Sequence, residues 1–216
     1  MRTFFACLLF FLSGAAIGIW VWSYARQAID QRHDEQAFNR EQAAPANPAS
    51  SPGAPPSRPP TKSTKASRGD VVARLSIQKI HLRAMVREGD DDNTLDVALG
   101  HIPGTAMPGQ KGNVGVAGHR DRLFRRLAEI AKDDQIQLQT PSATYTYRVD
   151  TMAIVSPKTV GVLSAGDGAR LTLVTCYPFN YIGSAPKRYI VKAHLISRDN
   201  SRADTAAARS PSGGRP

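Results

Sequence analysis

Cysteine is scarce in this chain: Cys7 and Cys176 are the two in 216 residues. Cys7 lies in an N-terminal apolar stretch, so it is not expected to pair with Cys176, which stands alone in the part of the chain that can fold. No apolar region precedes Cys7 as a lipobox would need, which argues against lipidation. Charge is missing in two places. From Phe4 to Ala25 no residue is charged, and residues 43–69 hold four basic residues and no acidic one. No aromatic-basic pattern suited to stacking bases is present either. Much of the net charge of +10 lies outside the candidate core, so nucleic acid is not an expected partner. Basic segments beside a membrane attract anionic lipid or wall polymer instead. Internal repeats are absent.

The uncharged run is longer than the roughly 20 residues a helix needs to cross a bilayer. Trp20, Trp22 and Tyr24 fall at its distal end, where amphipathic rings favour the interface. Residues 1–26 are therefore expected to be an uncleaved membrane anchor. A cleaved signal peptide is the rival, with a shorter apolar region of about 7–15 residues and a small-x-small site. Ser13-Gly14-Ala15 mimics such a site, but the apolar run continues past it. Arg2 on one side and Arg26, Arg32 and Arg40 on the other leave orientation open by charge alone. Almost no chain precedes the run, so the functional part is expected to follow it and to be extracytoplasmic, at the cell membrane. Residues 27–69 read as a polar stretch, over 26–42 continuing as a short helix out of the apolar run, followed by a spacer with seven prolines between Ala43 and Gly69. Residues 199–216 read as a disordered tail, which leaves 70–198 as the folded domain.

Within that domain, short runs of strand character are separated by turn signals. They are Val71–Ile77, Leu82–Val86, Gly112–His119, Gln135–Thr140, Ala143–Val149, Met152–Val155, Leu171–Thr175 and Tyr189–Ile196. Turns are expected at Pro141 and Asp150. Asn93–Leu99 and Phe124–Ile130 suggest short helices, the first behind an acidic stretch. Many short strands with little helix predict an all-β barrel or sandwich.

Cys176 ends one of these strands, a position that suggests a nucleophile. A thiol attacks an amide as thiolate, so it needs a nearby base or cation. The developing oxyanion needs a donor, and the leaving amine needs a proton that histidine can supply near neutral pH. Of five histidines, His33 precedes the domain, His81 lies beside a turn and His194 sits in the last strand. His101 and His119 remain, both following glycine after apolar residues. Lys187 and Arg188 are adjacent, so on a strand they face opposite ways and one of them can meet the thiol. Thr175 either orients substrate or is simply a β-branched strand residue.

Three segments in order resemble one family. Thr172-Leu-Val-Thr-Cys176 resembles the TLxTC signature of sortases, the cysteine transpeptidases that join secreted proteins to cell-surface amines. Gly100-His-Ile-Pro-Gly-Thr-Ala-Met-Pro-Gly109, with Gly112-Asn113 and Gly118-His-Arg-Asp121, resembles the approach to the sortase histidine. Cys176-Tyr-Pro-Phe and Ala185-Pro-Lys-Arg188 are most similar to class D sortases. The resemblance implies a closed eight-stranded β-barrel with short helices in its loops. It also implies Cys176 as nucleophile, His119 as acid and base, His101 as non-catalytic, and Arg188 as holder of signal and oxyanion; Thr175 stays the candidate for positioning substrate, on its place before the cysteine.

The implied substrates are secreted proteins with a C-terminal LPxTG-like signal, passed through a thioester to a cell-surface amine for wall or pilus anchoring, with no cofactor. Some sortases bind calcium beside the site. Here Glu88, Asp90, Asp91, Asp92 and Asp96 read as a turn and helix start rather than a ligand loop, so no metal is expected. Two rivals stay open. L,D-transpeptidases also place histidine before cysteine, but their cysteine follows glycine. A tethered binding module would bury Cys176 as an inert small hydrophobe.

Overall fold

A computed structural model describes residues 2–43 and 66–200. Eight strands close into a barrel in the order β1-β2-β3-β4-β7-β8-β6-β5, with β5 returning to β1. They are β1 (Val71–Ile77), β2 (Leu82–Glu88), β3 (Leu99–His101), β4 (Gly112–Ala117), β5 (Gln135–Gln139), β6 (Ala143–Val155), β7 (Ala169–Tyr177) and β8 (Lys187–Asn200). Short helical turns fill the connections: 3₁₀ turns at Gln78–Ile80, Arg125–Glu129 and Val160–Leu163, and α2 (Asp92–Leu95), capped by the Asp91 side chain on the Thr94 N–H. Alternate residues point inward, so Leu75 and Ile77 of β1, Ile136 and Leu138 of β5, and Leu171 and Leu173 of β7 meet in one buried core.

The eight expected strands and the eight found are not the same set. Ala143–Val149 and Met152–Val155 are one strand. Asp150 marks a register shift against β8 rather than a turn, a bulge that lets the long strand bend around the barrel. The missing member is β3. Leu99 falls inside the segment expected to be helical, but α2 ends at Leu95 and the chain turns to pair with β2 and β4. Gly100 permits that turn, because a Cβ there would collide with the Gly89 carbonyl oxygen.

The polar stretch after the apolar run continues as helix, as expected: α1 runs unbroken from Arg2 to Ala43. Its C-terminal part lies on the outside of the barrel along one helical face, Gln31, Asp34, Glu35, Phe38 and Gln42. Asp34 accepts from Nε and Nη2 of Arg87, each at 2.7 Å. Arg74, 6% exposed, is held by Glu35 and Asn39 and sits over the Phe38 ring, itself 3% exposed. Gln31 accepts the Met85 N–H at 2.8 Å where β2 extends beyond the three-residue β3. The expected membrane-spanning helix is not found: among the described residues, no helix is long and apolar enough to cross a membrane. The side chains of residues 2–12, which carry part of the expected anchor, lie outside the described residues. So do the Pro-rich segment within 44–65 and the expected tail from 201 onward; residues 199 and 200 close β8.

Candidate active site

Topology brings three distant segments to one end of the barrel. β4 and β7 are parallel neighbours, Ala117 opposite Val174, so both finish at the same end. His119 follows β4 and Cys176 lies near the end of β7. β8 runs antiparallel to β7 and therefore begins there, with Arg188 as the Cα partner of Cys176. His119, Cys176 and Arg188 line one cleft of about 370 Å³. Its apolar wall includes Val155, Pro157, Val160, Val162, Leu163 and Ile190, and Asp90 and Asp92 stand at its rim. Lys187 pairs with Tyr177, is exposed and does not line the cleft.

Each functional side chain is held by its neighbours. Gly118 admits the tight approach before His119: a Cβ there would come within 2.7 Å of both Leu99 and Phe124. The Gly118 N–H donates to the Val174 carbonyl at 3.1 Å, and its carbonyl accepts the Thr175 hydroxyl at 2.7 Å. Thr175 is 2% exposed. The structure thus commits the hydroxyl expected to position substrate to fixing the residue before His119. Cys176 is half-buried and free. Arg188 donates Nη1 to two nearby carbonyls, Ala185 in the loop before β8 at 3.3 Å and Lys187 at 3.1 Å. Beyond the cysteine, Tyr177, Phe179 and Tyr189 pack ring on ring, and burial together with Tyr177 pushes the Tyr189 hydroxyl pKa upward. Arg120 reaches the Tyr181 and Gly183 carbonyls at 2.6 and 2.9 Å, tying the β7–β8 loop to the histidine segment.

The other histidines are elsewhere. His101 is buried, with Nδ1 at 2.5 Å from Glu88 and Nε2 at 3.0 Å from the Ala106 carbonyl, a brace between β2 and the loop after β3. His194 pairs with Asp150 at 2.6 Å, and His81 takes a left-handed turn conformation after Ile80. The acidic segment divides its work: Asp91 caps α2 and pairs with Arg68, while Asp90 and Asp92 face the cleft. Among the described residues, no group of three or more His, Cys, Asp or Glu side chains could hold a metal ion.

A family model described as Sortase domain matches residues 75–196, more than half of the chain. This chain belongs to the sortase family. It is 34% identical over 136 residues to Sortase D of Bacillus subtilis (strain 168), covering 62% of this chain and 69% of that one. A Clostridium perfringens Sortase D5 transpeptidase has a similar structure, with TM-score 0.57, 32% identity, and coverage of 62% of this chain and 83% of its own. Sortase E1 from Streptomyces coelicolor, solved with a tripeptide in its active site, gives TM-score 0.58 at 26% identity, covering 68% of this chain and 98% of its own. The closed eight-stranded barrel thus matches the sortase fold. Sequence reading passed over two features of this sortase: the docked face of α1 and the carboxylate of Asp96, 3.7 Å from the His119 ring. Phe38, alone among polar residues at helical spacing from Gln31 and Gln42, was a readable signal for the first. Nothing in sequence separates Asp96 from its acidic neighbours.

Proposed function

We propose that this sortase cleaves an LPxTG-type signal near the C-terminus of secreted proteins and transfers them to an amine at the cell surface. The observation that carries the reading is the meeting of Cys176, His119 and Arg188 on one cleft from segments far apart in the chain. The Cys176 thiolate attacks the threonine carbonyl, forming a C–S bond. The C–N bond to glycine breaks, and the amine leaves with a proton from His119. An incoming amine then attacks the thioester, gives a proton to His119 and releases the thiolate. Arg188 turns from the Ala185 and Lys187 carbonyls to the signal and its oxyanion, where a planar fork presents two donors together. The apolar wall suits the aliphatic and proline side chains of such a signal. Thr175 acts on this chemistry through Gly118.

The test is cleavage of a fluorogenic LPxTG-type peptide by the full chain. Cys176→Ala and His119→Ala should each abolish it while circular dichroism stays unchanged; substantial turnover by Cys176→Ala would overturn the reading. Iodoacetamide should alkylate Cys176 in the folded protein, whereas an inert thiol would indicate a binding module. Membrane attachment through Phe4–Ala25, with the barrel extracytoplasmic, belongs to this proposal on the strength of that run's sequence. Cell fractionation that found the full-length chain only in soluble fractions would refute it.

A further inference from the structure

We propose that Asp96 is a positioning residue for His119, an inference that rests on reading His119 as the proton carrier. Asp96 follows α2, and its Oδ1 stands 3.7 Å from His119 Nε2. Two independent contacts aim it there. Arg122, three residues beyond the histidine, donates Nη1 to the Asp96 backbone carbonyl at 2.7 Å and brings Nη2 to 3.4 Å from Oδ1. On the other side, Gln31 of α1 donates to the carbonyl of the next residue, Val97, at 2.7 Å, while accepting the Met85 N–H. Residue 96 is thus steadied by an arginine of the histidine loop and by a helix that begins outside the barrel.

A proton carrier works in one orientation, with one ring nitrogen toward the reacting groups and the other given a fixed partner. Among the described residues, Asp96 supplies the carboxylate within ion-pair distance of this ring. Arg188, Asp90 and Asp92 line the same cleft. Arg120 is turned onto the β7–β8 loop, and Asp121 is exposed. Asp96 at Nε2 leaves Nδ1 to exchange protons with the departing and arriving amines. Within ion-pair distance of the ring and outside the cleft lining, the carboxylate acts on turnover rather than binding.

The experiment compares the full-length chain with its Asp96→Asn, Asp96→Glu and His119→Ala variants on one LPxTG-type fluorogenic peptide. Asp96 is about half exposed, so none of its substitutions empties the core. Asp96→Asn should lower kcat about fivefold, the factor to which one exposed pair at this distance corresponds, with KM within about twofold. Asp96→Glu should recover most of kcat, and thermal unfolding should match the parent. Three results would overturn the role: an unchanged kcat in Asp96→Asn, a loss confined to KM, or a glutamate variant as impaired as the asparagine one. His119→Ala separates the two readings. If it keeps turnover, the proton-carrier reading fails. If it is inactive while Asp96→Asn is unimpaired, only the role of Asp96 falls.

Discussion

Cys176 and Arg188 face each other across the β7–β8 ladder as Cα partners, yet the guanidinium is bonded to the carbonyls of Ala185 and Lys187. The backbone sets the pair, and the side chain is held at the start of β8 and by the loop before it. Those two hydrogen bonds are exposed or half-buried and can be exchanged for bonds to a substrate at little net cost.

Arg188→Lys should therefore be far more damaging than Lys187→Arg. Lysine keeps the charge and loses the fork, and removing one oxyanion donor typically lowers turnover about 10²–10³-fold. Lys187 lies opposite Tyr177 outside the cleft, so arginine there should change turnover little. Peptide turnover of the two variants decides it; a crippled Lys187→Arg would mean that the face assignment of β8 is wrong.

Thr175→Val keeps the branched shape and removes the hydroxyl that satisfies the buried Gly118 carbonyl. The expected loss is about 1–3 kcal/mol of unfolding free energy, with turnover falling as the His119 segment loosens. Thr175→Ser should restore both. Denaturant unfolding and peptide turnover are the measurements, and a serine variant no better than valine would assign Thr175 a role in packing alone.

Phe38→Ala tests whether the docked half of α1 belongs to the folded unit. Burying a phenylalanine side chain contributes about 1.5–3 kcal/mol, and Arg74 would lose the ring over which it sits. Stability of the full chain should fall by about 2 kcal/mol in denaturant unfolding. An unfolding midpoint equal to the parent's would show that α1 is dispensable to the barrel.

Tyr147 is fully buried and its hydroxyl makes no hydrogen bond among the described residues. Burial first, and Tyr145 second, push its pKa up to about 12. A raised folded-state pKa means that the unfolded chain ionises first. Stability from this group is full below about pH 10 and is lost as pH climbs through 12. Tyr147→Phe should be neutral or stabilising by about 1 kcal/mol and should flatten this alkaline decline. Unfolding curves at pH 9 to about 11 would contradict the assignment if the decline persisted unchanged.

Local pattern was enough to read much of this molecule. Val71–Ile77 is a strand with those same bounds, because apolar and polar residues alternate from Ala73 to Ile77 and a period of two carries Ala73, Leu75 and Ile77 into the core. The segments around His119, Cys176 and Arg188 were legible as chemistry, since few residue types can attack an amide, carry its proton and hold its oxyanion. Which histidine enters the cleft was not decided by local pattern: His101 and His119 both follow glycine after apolar residues. Pairing decides it. β3 sends His101 into a buried pair with Glu88, while the parallel β4–β7 pair delivers His119 to the end where Cys176 lies. The merging of two expected strands into β6, the short β3, the docking of α1 and the nearness of Asp96 to the ring are likewise tertiary outcomes. Each depends on partners distant in the chain, from Val86 opposite Leu99 for β3 to Gln31 beside Met85 for α1, and such contacts form only when the barrel closes and its hydrogen-bond register is fixed.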